Sequence, residues 1–155
     1  MEPVIEVTTS EDPALLGLVA AQEREVMARY GVDDAGPGLS AGAVCLLARL
    51  DGHPVGCVAL GSLEEGIGEV KRMYVDPGAR GHRMGRLLLE RVEELAATRG
   101  HRLLRLEAGT EQPEALQLYR SAGWREIPCY GYFRDHPSTI CFEKPIALRG
   151  HVPGA

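Results

Sequence analysis

A chain of 155 residues with 45% apolar and 25% charged side chains has the length and balance of one globular unit with a full core. Its formal charge of -5 argues against a general nucleic-acid binder, which would carry a basic face. No apolar run is long enough to span a membrane, and MEPVIEVTTSEDP lacks the basic start and apolar centre of a secretory leader, so a cytoplasmic protein with no membrane partner is expected.

Val4 to Thr8 alternates like a first strand. Ser10-Glu11-Asp12-Pro13 then supplies a cap and a first-turn proline for a helix reaching Tyr30. Leu15, Leu18, Val19, Gln22, Val26 and Tyr30 form its expected buried stripe. Residues 31–42 read as a loop, of the kind that often shapes substrate pockets. Ala43 to Leu50 and Val55 to Leu60 form a predicted hairpin around Asp51-Gly52-His53-Pro54. Ser62 to Gly68 is read as an acidic turn, and a strand is expected to open at Glu69. Period-two alternation would place Glu69, Lys71 and Met73 on one face of it.

Asp76-Pro77-Gly78 ends that strand as a turn, and Met84, Leu88, Val92 and Leu95 recur at helical spacing up to Gly100. Leu103 to Ala108 reads as a buried strand, parallel to its predecessor because a helix connects them. A further helix starts at Pro113 and stops at Gly123, with Ala115, Leu118, Tyr119 and Ala122 on one face. Trp124 to Ile127 and Thr139 to Lys144 supply the last strands. The four cysteines sit in apolar or aromatic segments without C-x-x-C spacing and are read as reduced, with a Cys45–Cys57 bond across the hairpin a minor alternative. The scattered histidines suggest no metal site.

Between strand and helix lies Arg80-Gly81-His82-Arg83-Met84-Gly85-Arg86. The first amides of a helix lack internal partners and carry partial positive charge, glycine allows close approach, and arginine adds permanent charge. That combination suits a pyrophosphate. The segment resembles the acyl-CoA-binding loop of the GNAT family of N-acetyltransferases, R/Q-x-x-G-x-G/A. Arg80, Gly81, His82, Met84 and Gly85 fit, while Arg83 stands where the family usually has glycine; in helical geometry an L-residue there still offers its N–H. The element order, the Leu118-Tyr119-Arg120-Ser121-Ala122-Gly123-Trp124 segment and the closing Cys141 to Pro145 resemble the same family.

The resemblance implies a single-domain α/β GNAT fold over residues 1–147, with a mixed sheet of about seven strands and helices on both faces; residues 148–155 have little to bury and are expected to form a mobile tail. It implies acetyl-CoA as co-substrate and no metal. Met73, Tyr74 and Val75 would hydrogen-bond the pantetheine arm, and residues Arg80, Gly81, His82, Arg83, Met84, Gly85 and Arg86 would hold the diphosphate. Gln112 and Ala115 would contact the ligand from the next helix. Tyr119 matches the family's acid, a phenol that arrives protonated at neutral pH. Glu69 is the candidate base, with Glu107 as a second carboxylate. Tyr130, Tyr132 and His136 would shape the acceptor pocket, or alternatively a dimer contact. The implied reaction is acetyl transfer to the primary amine of a small molecule by direct attack in a ternary complex. A protein or peptide acceptor, and a non-catalytic acyl-CoA sensor, stay open as alternatives.

Overall fold

The computed structural model describes residues 2–33, 38–39, 42–81 and 83–147; His82 and the tail at 148–155 lie outside the described residues. Seven strands form one sheet: β1 (Val4–Thr9), β2 (Val44–Leu50), β3 (His53–Glu64), β4 (Ile67–Val75), β5 (Leu103–Gly109), β6 (Arg125–Ile127) and β7 (Thr139–Pro145). Their spatial order is β1-β2-β3-β4-β5-β7-β6, with β4 and β5 the parallel pair. Helix α1 (Pro13–Tyr30) covers one face, and α2 (Met84–Thr98) and α3 (Pro113–Ser121) cover the other. The α/β assignment and the mixed sheet with helices on both faces agree with the sequence reading.

Local chemistry explains the boundaries. Asp12 caps α1 by accepting from the Ala14 N–H at 2.9 Å, and it also accepts from the Thr8 hydroxyl at 2.7 Å. Pro13 occupies the first turn and Gly31 closes the helix in the left-handed region. The turn after β3 is tighter than predicted. Both strands extend through the expected acidic stretch, so β4 opens at Ile67 and not at Glu69.

The larger core lies under α2 and α3, where Leu88, Leu104, Val58, Val92 and Phe142 are fully buried. Each such side chain contributes roughly 1.5–3 kcal/mol of transfer free energy. The smaller core under α1 holds Leu15, Leu47, Cys45, Cys57 and Tyr74. Burial raises the Cys45 thiol to about 11 and the Cys57 thiol to about 12, so neither is a ready nucleophile near neutrality. Cys129 and Cys141 are disulfide-bonded, which corrects the reading of four reduced cysteines. Antiparallel pairing sets Ile127 opposite Cys141 and so carries Cys129, just past β6, to a Cα separation of 5.1 Å.

One irregularity decides how β4 presents its side chains. Cys57 pairs with Tyr74 and Ala59 with Lys71, so β4 has one extra residue here, and Arg72 adopts φ +56°. The alternation therefore reverses. Val70 packs in the α2–α3 core, whereas Tyr74 packs in the α1 core. Met73 packs against the α2–α3 core and so does not share a face with Glu69 and Lys71, contrary to the unbroken period-two reading.

Gly109, at the end of β5, sits under Tyr30: a Cβ there would lie 1.7 Å from the tyrosine hydroxyl and 2.9 Å from Gln112 Oε1. Gly109→Ala should destabilise the fold by about 1–3 kcal/mol, the usual cost of overpacking. Urea unfolding of the two proteins measures this, and an unchanged midpoint would disprove the close approach.

Candidate active site

The parallel ladder between β4 and β5 is short. It runs through Ile67–Leu103, Gly68–Leu104 and Glu69–Arg105, and then the strands part. A cavity of about 460 Å³ occupies the region where they separate. Met73, Ala115, Leu118 and Tyr119 line it from the α2–α3 side, and Gln22, Val26 and Tyr30 line it from α1. Because the walls come from both faces, the opening passes through the sheet. Lys71 and Glu107 flank it from β4 and β5, and Tyr132, Phe133 and His136 also line it.

Two staples hold the end of α1 against the loop after β5. Arg29 donates to the Glu111 carbonyl at 3.0 Å and pairs with Glu114 at 2.8 Å. The Glu111 N–H donates to the Tyr30 hydroxyl at 3.0 Å. Gln22 donates to the Met73 carbonyl at 2.9 Å, which ties the middle of α1 to the bulged strand. Gln22, Val26 and Tyr30, expected as part of a buried stripe, are thus only half-buried and form a cavity wall. A glutamine interrupting an apolar stripe was the one signal of this in the sequence.

Tyr119 is buried, its ring 6.1 Å from that of Trp124 and 5.8 Å from that of Phe142. Burial first, and the Glu107 carboxylate second, push its pKa well above the ordinary phenol range. Its proton is therefore retained at every working pH. Glu107 is the other perturbed group on the wall. Its Oε2 is buried without a hydrogen-bond partner, and desolvation raises the carboxyl to about 7 against the opposing pull of Lys71.

Glu69 is placed differently. It is absent from the cavity wall; its Oε2 accepts from the Tyr130 hydroxyl at 3.0 Å and its Oε1 lies 3.8 Å from Lys71 Nζ. The Arg105 guanidinium lies 5.8 Å from the centre of the Tyr130 ring, so Glu69 belongs to a polar cluster beside the opening. Tyr132 and His136 line the cavity, with their rings stacked at 5.3 Å.

The loop before α2 has its own geometry. Asp76 accepts from the Gly78 N–H, a turn of 3-10 helix follows, and Gly81 takes φ +87°. Arg83 has φ +62° and ψ 18°, the left-handed region, which corrects the expectation of helical geometry at this residue. No side chain caps α2, and its first helical bond runs from the Leu87 N–H to the Arg83 carbonyl. The amides at 84–86 thus precede the helical ladder and suit an anion. Gly85 is packed closely, since a Cβ there would sit 3.3 Å from Leu118. Arg86 donates to the Ser121 hydroxyl at 2.7 Å. Arg80 turns back to the sheet, donating to the Val75 carbonyl at 2.8 Å and pairing with Glu25 at 2.9 Å. Tyr74 and Val75 belong to the strand leading into this loop, while Gln112 and Ala115 line the cavity from the start of α3. Gln112 Oε1 accepts from the Gly109 N–H at 3.3 Å.

A strand that parts from its parallel neighbour, an uncapped helix after a glycine loop, and a through-sheet opening together have the shape that an extended thioester with a diphosphate at one end would need. The acetyltransferase (GNAT) family model matches residues 11–124. The chain belongs to the GNAT family of acetyltransferases. An IAA acetyltransferase of Azospirillum brasilense is 43% identical over 102 residues, covering 65% of this chain and 67% of that protein. A crystal structure from Klebsiella pneumoniae, of a protein assigned as an acyl-CoA N-acyltransferase, superposes with a TM-score of 0.80 at 31% identity, covering 93% of this chain and 97% of the other. A GNAT acetyltransferase from Elizabethkingia anophelis with acetyl-CoA bound has a TM-score of 0.71 at 18% identity, covering 93% and 98%; this likeness concerns the fold. The GNAT membership makes the chain an acyltransferase of the N-acetyltransferase class.

The raised Glu107 carboxyl carries a stability consequence. Its folded pKa of about 7 exceeds the ordinary 4.5, so between these values the folded state holds a proton that the unfolded state has lost. This group's contribution therefore falls as pH rises through that window. Glu107→Gln should remove the decline and leave the protein more stable than the parent at pH 8, as measured by denaturant midpoints across pH 4–8. Parallel pH curves for the two proteins would show that Glu107 is not desolvated.

Proposed function

We propose that this protein transfers the acetyl group of acetyl-CoA to the primary amine of a small molecule by direct attack in a ternary complex. The observation that carries the reading is the opening through the sheet, with Tyr119 on its α3 side and Glu107 on its α1 side. In this reading the coenzyme lies along the α2–α3 side. Its diphosphate meets the amides at the start of α2 and the charge of Arg83 and Arg86, and its pantetheine arm runs along β4. These residues fit the group: the loop needs left-handed backbone at Gly81 and Arg83, and the parted strand edge has ladder groups to offer.

The amine enters from the α1 side. An alkylammonium must lose a proton before it can attack, and Glu107, poised near neutrality and held between the strands, is the base. This moves the base from Glu69, whose carboxylate is engaged with Tyr130 and Lys71 away from the wall. The nitrogen attacks the thioester carbonyl, a C–N bond forms, and as the C–S bond breaks the nitrogen gives up its second proton to solvent. Tyr119 gives its proton to the departing thiolate and regains one from solvent. Backbone N–H groups near the bulge polarise the carbonyl.

Thiol release from acetyl-CoA in the presence of amines tests the reading. Tyr119→Phe should lower kcat by about 10²-fold, in line with loss of a general acid, while calorimetry finds acetyl-CoA affinity retained. Glu107→Gln should remove the acidic limb near pH 7 from the kcat/KM profile. A protein that binds acetyl-CoA but releases no thiol with any amine or peptide is a sensor, and the proposal fails.

A further inference from the structure

The α1 side of the cavity holds polar groups that the fold leaves unsatisfied. Among the described residues, three buried side-chain polar atoms lack a hydrogen-bond partner, and two of them, Gln22 Oε1 and Glu107 Oε2, belong to residues of this wall. Both are acceptors. A cation beside them is a donor. Lys71 lines the same cavity with its side chain 20% exposed, and its ion pair with Glu69 is a long one at 3.8 Å, beyond ordinary hydrogen-bond distance. The Lys71 ammonium and the Glu107 carboxyl stand on neighbouring strands across the opening but form no ion pair with each other.

Leaving two acceptors without donors beside a cation that is held by one long ion pair is costly, and removing such a cost is a means of recognition. A ligand that completes all three must present N–H donors to Gln22 and Glu107 and an anionic group to Lys71, a short distance apart. Beyond them lies an aromatic surface. Tyr132 and Phe133 meet edge to face at 5.0 Å, and His136 stacks on Tyr132 at 5.3 Å. Tyr132 keeps 58% of its surface exposed, although it is a large aromatic on a cavity wall. Such a surface receives a flat apolar group.

We propose that the acceptor is a free α-amino acid with an aromatic side chain, its amine at Gln22 and Glu107, its carboxylate at Lys71, and its ring against Tyr132 and His136. This rests on the acetyltransferase reading above and selects one acceptor class within it. A protein N-terminus carries no carboxylate beside its amine, so this arrangement disfavours it.

Phenylalanine, phenylalaninamide, phenethylamine, alanine and an N-terminal phenylalanyl peptide form the test panel, with thiol release from acetyl-CoA as the readout. Phenylalanine should exceed the amide and phenethylamine in kcat/KM by about ten- to a hundred-fold, the usual value of a charge-assisted contact. Phenylalanine should also exceed alanine. Lys71→Gln should bring the phenylalanine-to-phenethylamine ratio near one, and Lys71→Arg should restore most of it. Calorimetry of acetyl-CoA on each variant verifies that the fold and the coenzyme site persist. Equal or better use of phenethylamine, the amide or the peptide overturns the amino-acid assignment and leaves acetyl transfer standing. An unchanged ratio in Lys71→Gln overturns the role of Lys71. Absence of thiol release with every acceptor, acetyl-CoA still being bound, removes the transferase reading and this inference with it.

Discussion

The structure depends on the early end of one parallel ladder. Beyond Glu69 and Arg105, β4 and β5 no longer pair, although each continues as a strand for several residues. The bulge at Arg72 accompanies this parting. An extra residue increases local twist, and a left-handed residue reverses which side chains meet which core. Without it, Tyr74 would be driven into the α2–α3 core and Met73 to the other face. With it, β4 keeps its pairing to β3 on one edge and frees the other.

An opening in the middle of a sheet forfeits ladder bonds and packing, so its rims must be fixed by other means. The two cores do this from opposite sides, and α1 is tied down through Gln22, Glu25, Arg29 and Tyr30 among others. On the far edge, Glu143 is buried at 7% exposure and is held by both Arg105 and Arg125, which joins β5, β6 and β7. Those bonds favour ionised Glu143 and pull its pKa down, whereas Glu107, two residues from Arg105 on the same strand, has no such partner and is pushed up. Two carboxyls on adjacent strands thus have opposite characters. The difference lies in who donates to them, because burial alone would raise both.

Much of this was legible in the sequence because the signals were local. Asp12-Pro13, Gly31, the apolar stripe of α2 and the hairpin around Asp51-Gly52 each rest on short-range chemistry, and the elements they predict are present. The bulge was not legible. Val70 to Val75 reads as an ordinary strand, and nothing in the residue types announces that Arg72 turns left-handed. Every inference that crossed it by counting in twos therefore failed, including the shared face of Glu69 and Met73. The Cys129–Cys141 bond was hidden for a related reason, since it depends on the register of β6 against β7 and not on cysteine spacing. Arg83 shows the reverse case. The family pattern has glycine there, and a left-handed backbone is the physical reason glycine suits the position.

The opening also bears on how the proposed acid and base, Tyr119 and Glu107, twelve residues apart in the sequence, can coexist without neutralising one another's purpose. Acyl transfer needs a proton taken from the nucleophile and a proton given to the leaving sulfur, and these events fall on opposite sides of the carbonyl carbon. A single pocket on one face would expose both groups to the same solvent and the same charges. Here a phenol on α3 is embedded between Trp124 and Phe142, where its resting state is protonated, while a carboxyl on β5 faces α1 with a pKa near neutrality. Burial raises both groups, and the Glu107 charge adds to the effect on Tyr119; in the proposed reaction the phenol thus starts protonated, and the carboxylate is basic enough to take a proton from an ammonium. The sheet separates them, so in the proposed reaction the parting of β4 from β5 would supply a path for the acetyl carbon and also keep the two proton transfers on opposite faces of that path.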